Sequence, residues 1–344
     1  MNNSSDDTAA AARRLAPALP FPLAVEAVDL PPDRAHAGGA RRRALASAAR
    51  LLAASRSPVP VLLSTDADAE PAADWVSGSL AEIDGGADAV AGSFDVAEAE
   101  LDRLPAAVRR RHECEQYYAA LLDQIESLVD PLPWDPWPRH GDHSGASFAV
   151  RLDAYLRVGG VPAVAAGEDR AFFARLQRRD RRVRHSPAVR VTVSARLQGR
   201  ALEGMAATLR RRVDDAAAPW DPRLEPLDRL LVRWRLRRTF RHLWRGRVSP
   251  ALAPGLARQV DVAEGSLLHA LQRQHFGSAW AWLERRSRIL APDVILPHGL
   301  EAEIAAAERL LDHLLGLRPP EEDPDGSRSG APDGRAAWWS EPTE

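Results

Sequence analysis

The chain has 344 residues, of which 45% are hydrophobic and 27% are charged, a balance typical of a globular protein with a sizeable core. The net charge of −2 favours no nucleic-acid partner, and the single cysteine, Cys114, excludes an internal disulfide framework and a cysteine-based zinc site. No apolar run approaches the roughly 18 residues of a membrane span, and residues 1–7 are too polar for a signal peptide. We therefore expect a cytoplasmic protein.

Strands and helices alternate over the first two hundred residues. The hydrophobic periodicity predicts, in chain order, a helix from Thr8 capped by Ser5 or Asp6, a strand over 21–30, a helix over 40–54, a strand over 59–64, a helix over 72–84 and a strand over 88–94. Beyond these it predicts a helix over 106–129, a strand over 145–150, a helix over 168–178 and an extended segment over 183–194. Such alternation indicates an α/β layer structure.

The character of the sequence changes after about residue 200. Helical periodicity runs over 202–317 and is broken by prolines at positions 219, 250, 254, 292 and 297. The tail over 319–344 is rich in proline, glycine and acidic residues, a composition typical of disorder. We therefore divide the chain into an α/β core over 1–215, a mostly α-helical C-terminal region over 216–318 and a disordered tail.

Two aspartates follow the predicted strand over 59–64. Side chains alternate along an extended chain, so Asp66 and Asp68 point the same way with one residue between them. Loops at the carboxyl ends of strands are where open α/β folds place ligands. Two carboxylates there can hold Mg²⁺ or Mn²⁺, and the ion can hold a diphosphate. The alternative interpretation is an acidic, solvated turn.

Three further features carry candidate chemistry. Gly38-Gly39, followed by Arg41, could cradle a phosphate with backbone N–H groups and a guanidinium, or could form an exposed basic turn. The small residues of 145–147 would let a substrate approach the backbone closely. Glu168 and Asp169 open a helix, where acids commonly act as dipole partners, although a carboxylate there can also accept a proton from a hydroxyl.

Taken together, these motifs resemble a known family. Their order along the chain is Asn-Asn-Ser-Ser-Asp-Asp-Thr at 2–8, Ser-Thr-Asp-Ala-Asp at 64–68, Gly-Ala-Ser at 145–147, Arg-Val-Gly-Gly at 157–160 and Gly-Glu-Asp at 167–169. This order resembles that of family-2 glycosyltransferases with the GT-A fold, over residues 1 to about 215. The resemblance implies a Rossmann-like nucleotide-sugar-binding sheet and a hexosyltransferase that takes a nucleotide-sugar donor.

The resemblance also assigns roles to individual residues. It implies that Asp66 and Asp68 bind the divalent metal and the donor diphosphate, with Asp68 the more direct ligand, and that Asp169 is the catalytic base of an inverting transfer. The remaining assignments are Glu168 as a neighbour that orients the acceptor or caps the helix, Gly145, Ala146 and Ser147 as the floor of the donor and acceptor site, Arg196 and Arg200 as diphosphate-binding cations, and His185 as a further candidate metal ligand with a structural alternative.

The chain departs from the family pattern at its start. The resemblance implies that the first βαβ unit, which grips the nucleobase and ribose, is lacking, and that Asn2 and Asn3 stand where the family commonly has Asp and Gly. An amide offers a single acceptor oxygen where a carboxylate offers two. Two interpretations follow: the true start lies upstream, or the chain is a non-catalytic relic or partner-binding module.

The helical region contains a basic amphipathic segment over 227–247. Leucines and aromatic residues recur there at helical spacing among seven or more arginines. Such a helix could lie on an anionic membrane surface as a peripheral contact. Alternatively, it packs on the catalytic core with its arginines in solvent.

Overall fold

The structure is a computed structural model that describes residues 1–55, 57–199, 204–215, 218–246, 250–296 and 298–316. The strands are β1 (Val61–Ser64), β2 (Glu70–Pro71), β3 (Ala89–Val96), β4 (Phe148–Arg151) and β5 (Val183–Val193). The helices are α1 (Thr8–Leu15), α2 (Ala37–Ala53), α3 (Trp75–Asp84), α4 (Glu98–Leu101), α5 (Ala106–Val129), α6 (Leu152–Arg157), α7 (Glu168–Arg178), α8 (Met205–Asp214), α9 (Leu227–Trp244), α10 (Ala253–Gln259), α11 (Glu264–Leu271), α12 (Phe276–Glu284) and α13 (Leu300–Gly316).

The five strands form one mixed sheet in the order β1-β4-β3-β5-β2. Strand β4 runs antiparallel to both of its neighbours, whereas β3 and β5 are parallel. Helices cover both faces, because the side chains of each central strand alternate between two apolar clusters. Ala89 and Ala91 belong to the cluster that includes residues of α2, α6 and α7, and Val90 belongs to the one that includes residues of α3. The predicted α/β layer structure is thus confirmed.

Strand β1 lies at the edge of this sheet. The N–H of Leu152 donates to the carbonyl of Pro60, so these two residues form a hydrogen-bonded pair of the antiparallel β1–β4 ladder, in which such pairs recur at every second residue. Given the register of Leu62 opposite Val150, the backbone groups of Val61 and Leu63 must point away from β4. No backbone partner is seen for those groups within the described residues. Strand β1 is therefore bonded along one side only in this part of the chain, although Leu62 is buried.

The strand predicted over 21–30 is wrong as a regular element. The described backbone there forms one isolated parallel bridge, between Asn2 and Val28. The N-terminal amine donates to the carbonyl of Glu26, and the Asn3 side chain both donates to and accepts from the backbone of Leu30. Residues 21–24 are exposed. The alternating pattern thus has no sheet face to bury, so a continuous ladder does not form.

The C-terminal helices form two further apolar clusters, one of which includes α5. Residues of α5, α9 and α13 form one cluster, and residues of α9 to α12 form the other. Helix α9 contributes to both, through Leu230 and Trp234 in the first and Phe240 in the second. The predicted helix over 227–247 is therefore a packed helix, and its last position, Arg247, lies outside the described residues, as does the tail over 319–344.

Several arginines of α9 make internal ion pairs. Arg241 and Arg237 both bind the carboxylate of Asp130, which is fully buried at the end of α5, and Arg237 also reaches Glu126 at 2.5 Å. Arg233 binds Glu225 at 2.5 Å. The expectation of solvated arginines is therefore wrong for these positions, because acids of α5 and of the segment before α9 take the place of water.

Among the described residues, none of the helices combines the length and the apolar character needed to cross a bilayer. The most extended helices, α5 and α9, carry charged residues along their length. Hydrophobic side chains in both are used instead for packing inside the protein.

Candidate functional site

The acidic loop after β1 is the centre of the candidate site. Asp66 and Asp68 follow the carboxyl end of the strand, with 41% and 46% of their side-chain surfaces exposed. Each carboxylate is bound by an arginine: Arg41 of α2 binds Asp66, and Arg196, just after β5, binds Asp68 at 2.5 Å. The loop therefore brings two accessible carboxylates and two predicted phosphate-binding cations together.

Arg41 joins two acids that are 102 residues apart in the chain. One guanidinium nitrogen binds Asp66 and the other donates to Glu168 at 2.8 Å, and both Arg41 and Glu168 have about a tenth of their side-chain surface exposed. Arg41 and Glu168 thus form a nearly buried ion pair beside a half-exposed aspartate. The charge of the guanidinium is directed at carboxylates of the site.

Glycines allow this close approach. A Cβ at Gly145 would lie 1.5 Å from an Arg41 guanidinium nitrogen, and a Cβ at Gly38 would lie 2.5 Å from the carbonyl oxygen of Val164. Gly38 lies in the first turn of α2, where the sequence indicated a loop, and the N–H of Gly39 donates to the His36 ring at 3.1 Å. Gly38 therefore brings helix α2 close to the loop that precedes α7, and Gly145 leaves room for the Arg41 side chain.

Asp169 lies in the first turn of α7 and accepts two backbone hydrogen bonds. One oxygen accepts from the N–H of Gly145 at 2.8 Å, and the other accepts from the N–H of Arg170 at 2.7 Å. The Gly145 contact links the loop before β4 to α7. It also places the predicted base in the same charge cluster as the acidic loop, since Asp169 contributes to the electrostatic field at Asp66.

The carboxylates of the cluster influence one another. Loss of solvent raises the pKa of Asp66, and the negative charges of Asp68 and Asp169 raise it further, against the opposing effect of Arg41. Like charges close together disfavour ionisation of one another. A site with this excess of acids has an affinity for positive charge, which Arg41 partly satisfies.

The donor set fits a hard divalent cation. Asp66 and Asp68 offer accessible carboxylate oxygens, and Mg²⁺ in phosphate-binding sites is held through one or two carboxylates, several waters and the phosphates of the substrate. Within the described part of the chain, no cluster of three or more metal-ligating side chains is found. The protein thus offers part of a coordination shell that a diphosphate and water would complete.

The predicted site floor over 145–147 is buried. Gly145 uses its N–H to hold Asp169, whereas Ala146 and Ser147 have buried side chains on the sheet. The Ser147 hydroxyl accepts a hydrogen bond from the indole N–H of Trp75 at 3.0 Å. The side chains of Ala146 and Ser147 therefore support the sheet, and the buried segment over 145–147 offers no open surface to a ligand.

Both ring nitrogens of His185 have partners within the protein, unlike those of a histidine that is free to bind a metal. Its Nδ1 lies 2.8 Å from Asp135, and its Nε2 lies 2.9 Å from the Nε2 of His143. With both ring nitrogens engaged and the side chain buried, His185 has no lone pair directed at the acidic loop. These contacts are those of a structural histidine, the alternative that the sequence left open.

Sequence reasoning missed the buried network that lies behind the site. Asp135 accepts hydrogen bonds from both the backbone and the ring of His185, and it also pairs with Arg139 and Arg184. Hydrogen bonding and these positive neighbours hold the pKa of Asp135 at about 2 despite its burial. His143, two residues before Gly145, was the available signal. Arg200, the other predicted diphosphate ligand, lies outside the described residues.

No family model matches this chain, and no curated protein matches it. Among solved structures, the chain is similar to the mannosyltransferase PcManGT from Pyrobaculum calidifontis, whose structure is a complex with GDP-Man and Mn²⁺. The two share 17% sequence identity with a TM-score of 0.33, and the alignment covers 91% of this chain and 71% of that chain. A TM-score of this size does not establish a shared fold, so the likeness carries no conclusion about activity.

Proposed function

We propose that the protein is a metal-dependent, inverting glycosyltransferase of the family-2, GT-A type, with an α-helical C-terminal region. The observation that carries the proposal is the convergence of Asp66, Asp68, Glu168 and Asp169 at the carboxyl end of β1, with Arg41 and Arg196 among them. Their positions in the sequence, separated by about a hundred residues, match the order of the family motifs. The proposal extends to a nucleotide-sugar donor and a hydroxyl acceptor.

In this reaction the acceptor hydroxyl attacks the anomeric carbon of the donor sugar while the bond to the nucleoside diphosphate breaks. Asp169 takes the hydroxyl proton, and the Gly145 N–H keeps its carboxylate in place. Asp68, with Asp66, would hold a divalent cation, which supplies charge neutralisation for the departing diphosphate. Arg196 lies beside Asp68 and is positioned to exchange that carboxylate for a phosphate oxygen.

The alternative function is a non-catalytic relic or partner-binding module. The specific observation in its favour is the unpaired edge of β1 among the described residues, because the strand that carries the acidic loop has one neighbour instead of two. In that case the acid cluster is a structural ion-pair network. It would then bind neither nucleotide nor metal with useful affinity.

A thermal-unfolding panel separates the two functions. The full chain is measured with UDP-, GDP- and dTDP-sugars, each with and without Mn²⁺, because a ligand that binds only the folded state raises the unfolding temperature. We expect a rise that needs both the metal and one nucleotide and that disappears in Asp68→Ala. Asp84→Ala, which removes an exposed carboxylate at the end of α3, is the matched control. A folded protein that responds to no combination would refute the glycosyltransferase proposal.

Asp169→Asn then tests the role of the base. The variant keeps the size and a hydrogen-bond acceptor of the side chain but loses its basicity. We expect the donor-dependent rise in unfolding temperature to persist while transfer of the sugar is lost. Unchanged transfer would remove Asp169 from the mechanism without affecting the donor site.

A further inference from the structure

Two shallow hollows are lined by residues from the end of α6 and the loop that follows it, over 155–160. The first, of about 290 Å³, is lined by Arg42, Arg50, three alanines of α2, and Tyr155, Leu156 and both glycines of the loop. The second, of about 190 Å³, is lined by Val158 and by the arginines at the end of α7, Arg175, Arg178 and Arg179. The two hollows thus share one loop and form a single surface.

The cations of this surface lack carboxylate partners among the described residues. The set, which we call the arginine face, consists of five lining residues, Arg42, Arg50, Arg175, Arg178 and Arg179, and of Arg157, which is exposed next to Leu156 at the end of α6. In the described part of the chain, none of its members makes an ion pair within 4 Å, in contrast to the paired arginines of α9. Arg42 and Arg175 donate instead to the carbonyls of Val161 and Gly160.

Acids on adjoining segments bind other groups, although Glu26 also lies in the field of Arg50, and Glu284 of α12 in that of Arg178. Glu26 binds Arg43 at 3.0 Å, and Asp153 binds Arg151 at 3.1 Å. Asp180, just after α7, accepts backbone N–H groups at the start of α12. A protein with a net charge of −2 therefore carries a local excess of positive charge on this face, which attracts anions.

The arginine face also presents an apolar side chain. Leu156 lies on α6 at the first hollow, and 58% of its surface is exposed. The aromatic residue of the first hollow, Tyr155, is 4% exposed and packs in the core. Bases of single-stranded nucleic acid need accessible aromatic rings for stacking. An exposed leucine among arginines instead suits the boundary between lipid headgroups and acyl chains.

We propose that the arginine face is a docking surface for anionic lipid membranes. Arginines on α2, α6 and α7 contact the phosphate and carboxylate groups of the lipid, and Leu156 enters the headgroup region. This surface differs from the candidate membrane contact of the sequence analysis, the segment over 227–247, whose apolar residues pack inside the protein. The proposal is independent of the enzymatic one, since it requires neither the metal nor a nucleotide.

Vesicle co-sedimentation of the full chain tests the proposal. Phosphatidylcholine vesicles with and without phosphatidylserine are compared in the absence of nucleotide and Mn²⁺. Each basic residue near an anionic surface contributes about fivefold to partitioning. We therefore expect the triple variant Arg50→Ser, Arg157→Ser and Arg179→Ser to bind on the order of 100-fold more weakly. Binding should also fall as the ionic strength rises from about 0.1 M to about 1 M.

The matched control is the triple variant Arg13→Ser, Arg235→Ser and Arg285→Ser, which removes the same charge from exposed positions elsewhere, Arg235 being on α9. The proposal is supported if the arginine-face variant loses binding while this control retains it, and if the unfolding curves of both variants are unchanged. Equal loss in the two variants, binding to pure phosphatidylcholine, or no binding at all would refute it. If inorganic phosphate reduces vesicle binding more than another salt of the same ionic strength does, the arginine face is a site for free anions instead of a lipid surface. That result would also overturn the proposal.

Discussion

Gly145→Ala should destabilise the protein by displacing one side chain, that of Arg41. The new Cβ would lie 1.5, 2.2 and 2.5 Å from three atoms of the Arg41 guanidinium. Gly145 has no positive φ, so alanine suits the backbone there. The overlap therefore falls on the end of a flexible side chain, and we expect Arg41 to leave both Asp66 and Glu168.

The magnitude follows from the exposure of the two pairs. The Glu168 side chain is 9% exposed, so the loss of its charge-assisted hydrogen bond costs about 2 kcal/mol. The Asp66 side chain is 41% exposed, so solvent screening limits its pair to about 1 kcal/mol or less. Arg41→Ala removes both contacts, and we therefore expect each single variant to lose about 3 kcal/mol of unfolding free energy.

A double-mutant cycle measured by guanidinium-induced unfolding tests this mechanism. In the Arg41→Ala background nothing remains to be displaced, and Gly145→Ala should be neutral or slightly stabilising, by up to about 1 kcal/mol, because alanine restricts the unfolded chain. The double variant should then be no less stable than Arg41→Ala alone. Additive losses would refute the reasoning, since they would show that the methyl group added at position 145 strains the backbone or a different neighbour.

Three further predictions concern the charges around α5, and all are measured by guanidinium-induced unfolding. Asp130→Asn should cost about 3–5 kcal/mol because it leaves Arg241 without its buried counter-ion, whereas Arg235→Ser on the exposed side of α9 should change stability by less than about 0.5 kcal/mol; equal losses would contradict the network. Burial raises the pKa of Asp123 to about 8, so the folded state keeps a proton that the unfolded chain releases near 3.8. The free energy of unfolding that Asp123 contributes should fall as the pH rises between these values, and Asp123→Asn should lack that fall. If the parent and the variant show parallel pH profiles, Asp123 does not titrate in this way. Burial, together with the charge of His185, lowers the pKa of His140 to about 4, below its ordinary 6.5, so its contribution to stability should be lost as the pH falls through that window. His140→Gln should remove that loss, and a variant as acid-sensitive as the parent would show that His140 is not its source.

Elements with strong local signals were predictable from the sequence. The helices over 106–129 and 168–178 have the predicted bounds, because their apolar periodicity is long and α5 begins directly after Pro105. The acidic loop was also predictable, since it directly follows an apolar strand. In contrast, the partners of buried charges depend on contacts between distant segments. Asp130 meets Arg241 across 111 residues, and no local pattern encodes that pairing.

In the candidate site too, the residues could be predicted from local patterns, but their contacts could not. Sequence reasoning identified Arg41 as a candidate phosphate-binding cation, but its contact with Glu168 depends on the crossing of α2 and α7 at Gly38. It also treated Ala146 and Ser147 as a ligand surface, whereas burial against Trp75 decides their role. Small residues are compatible with both a ligand and a close-packed sheet, and only the fold distinguishes these uses.

Because β1 lies at the edge of the sheet, the position of the acidic loop depends on a single ladder of hydrogen bonds. A strand held by a single ladder opens at a lower free energy than one held on both sides, so the amides of Val61 and Leu63 should exchange with deuterium faster than those of β3. Asp66 and Asp68 are attached to the end of this strand, and each opening event moves both carboxylates together. The positions of the acids are thus only as well defined as the β1–β4 ladder, and a strand added along the outer edge would sharpen them without contacting either one.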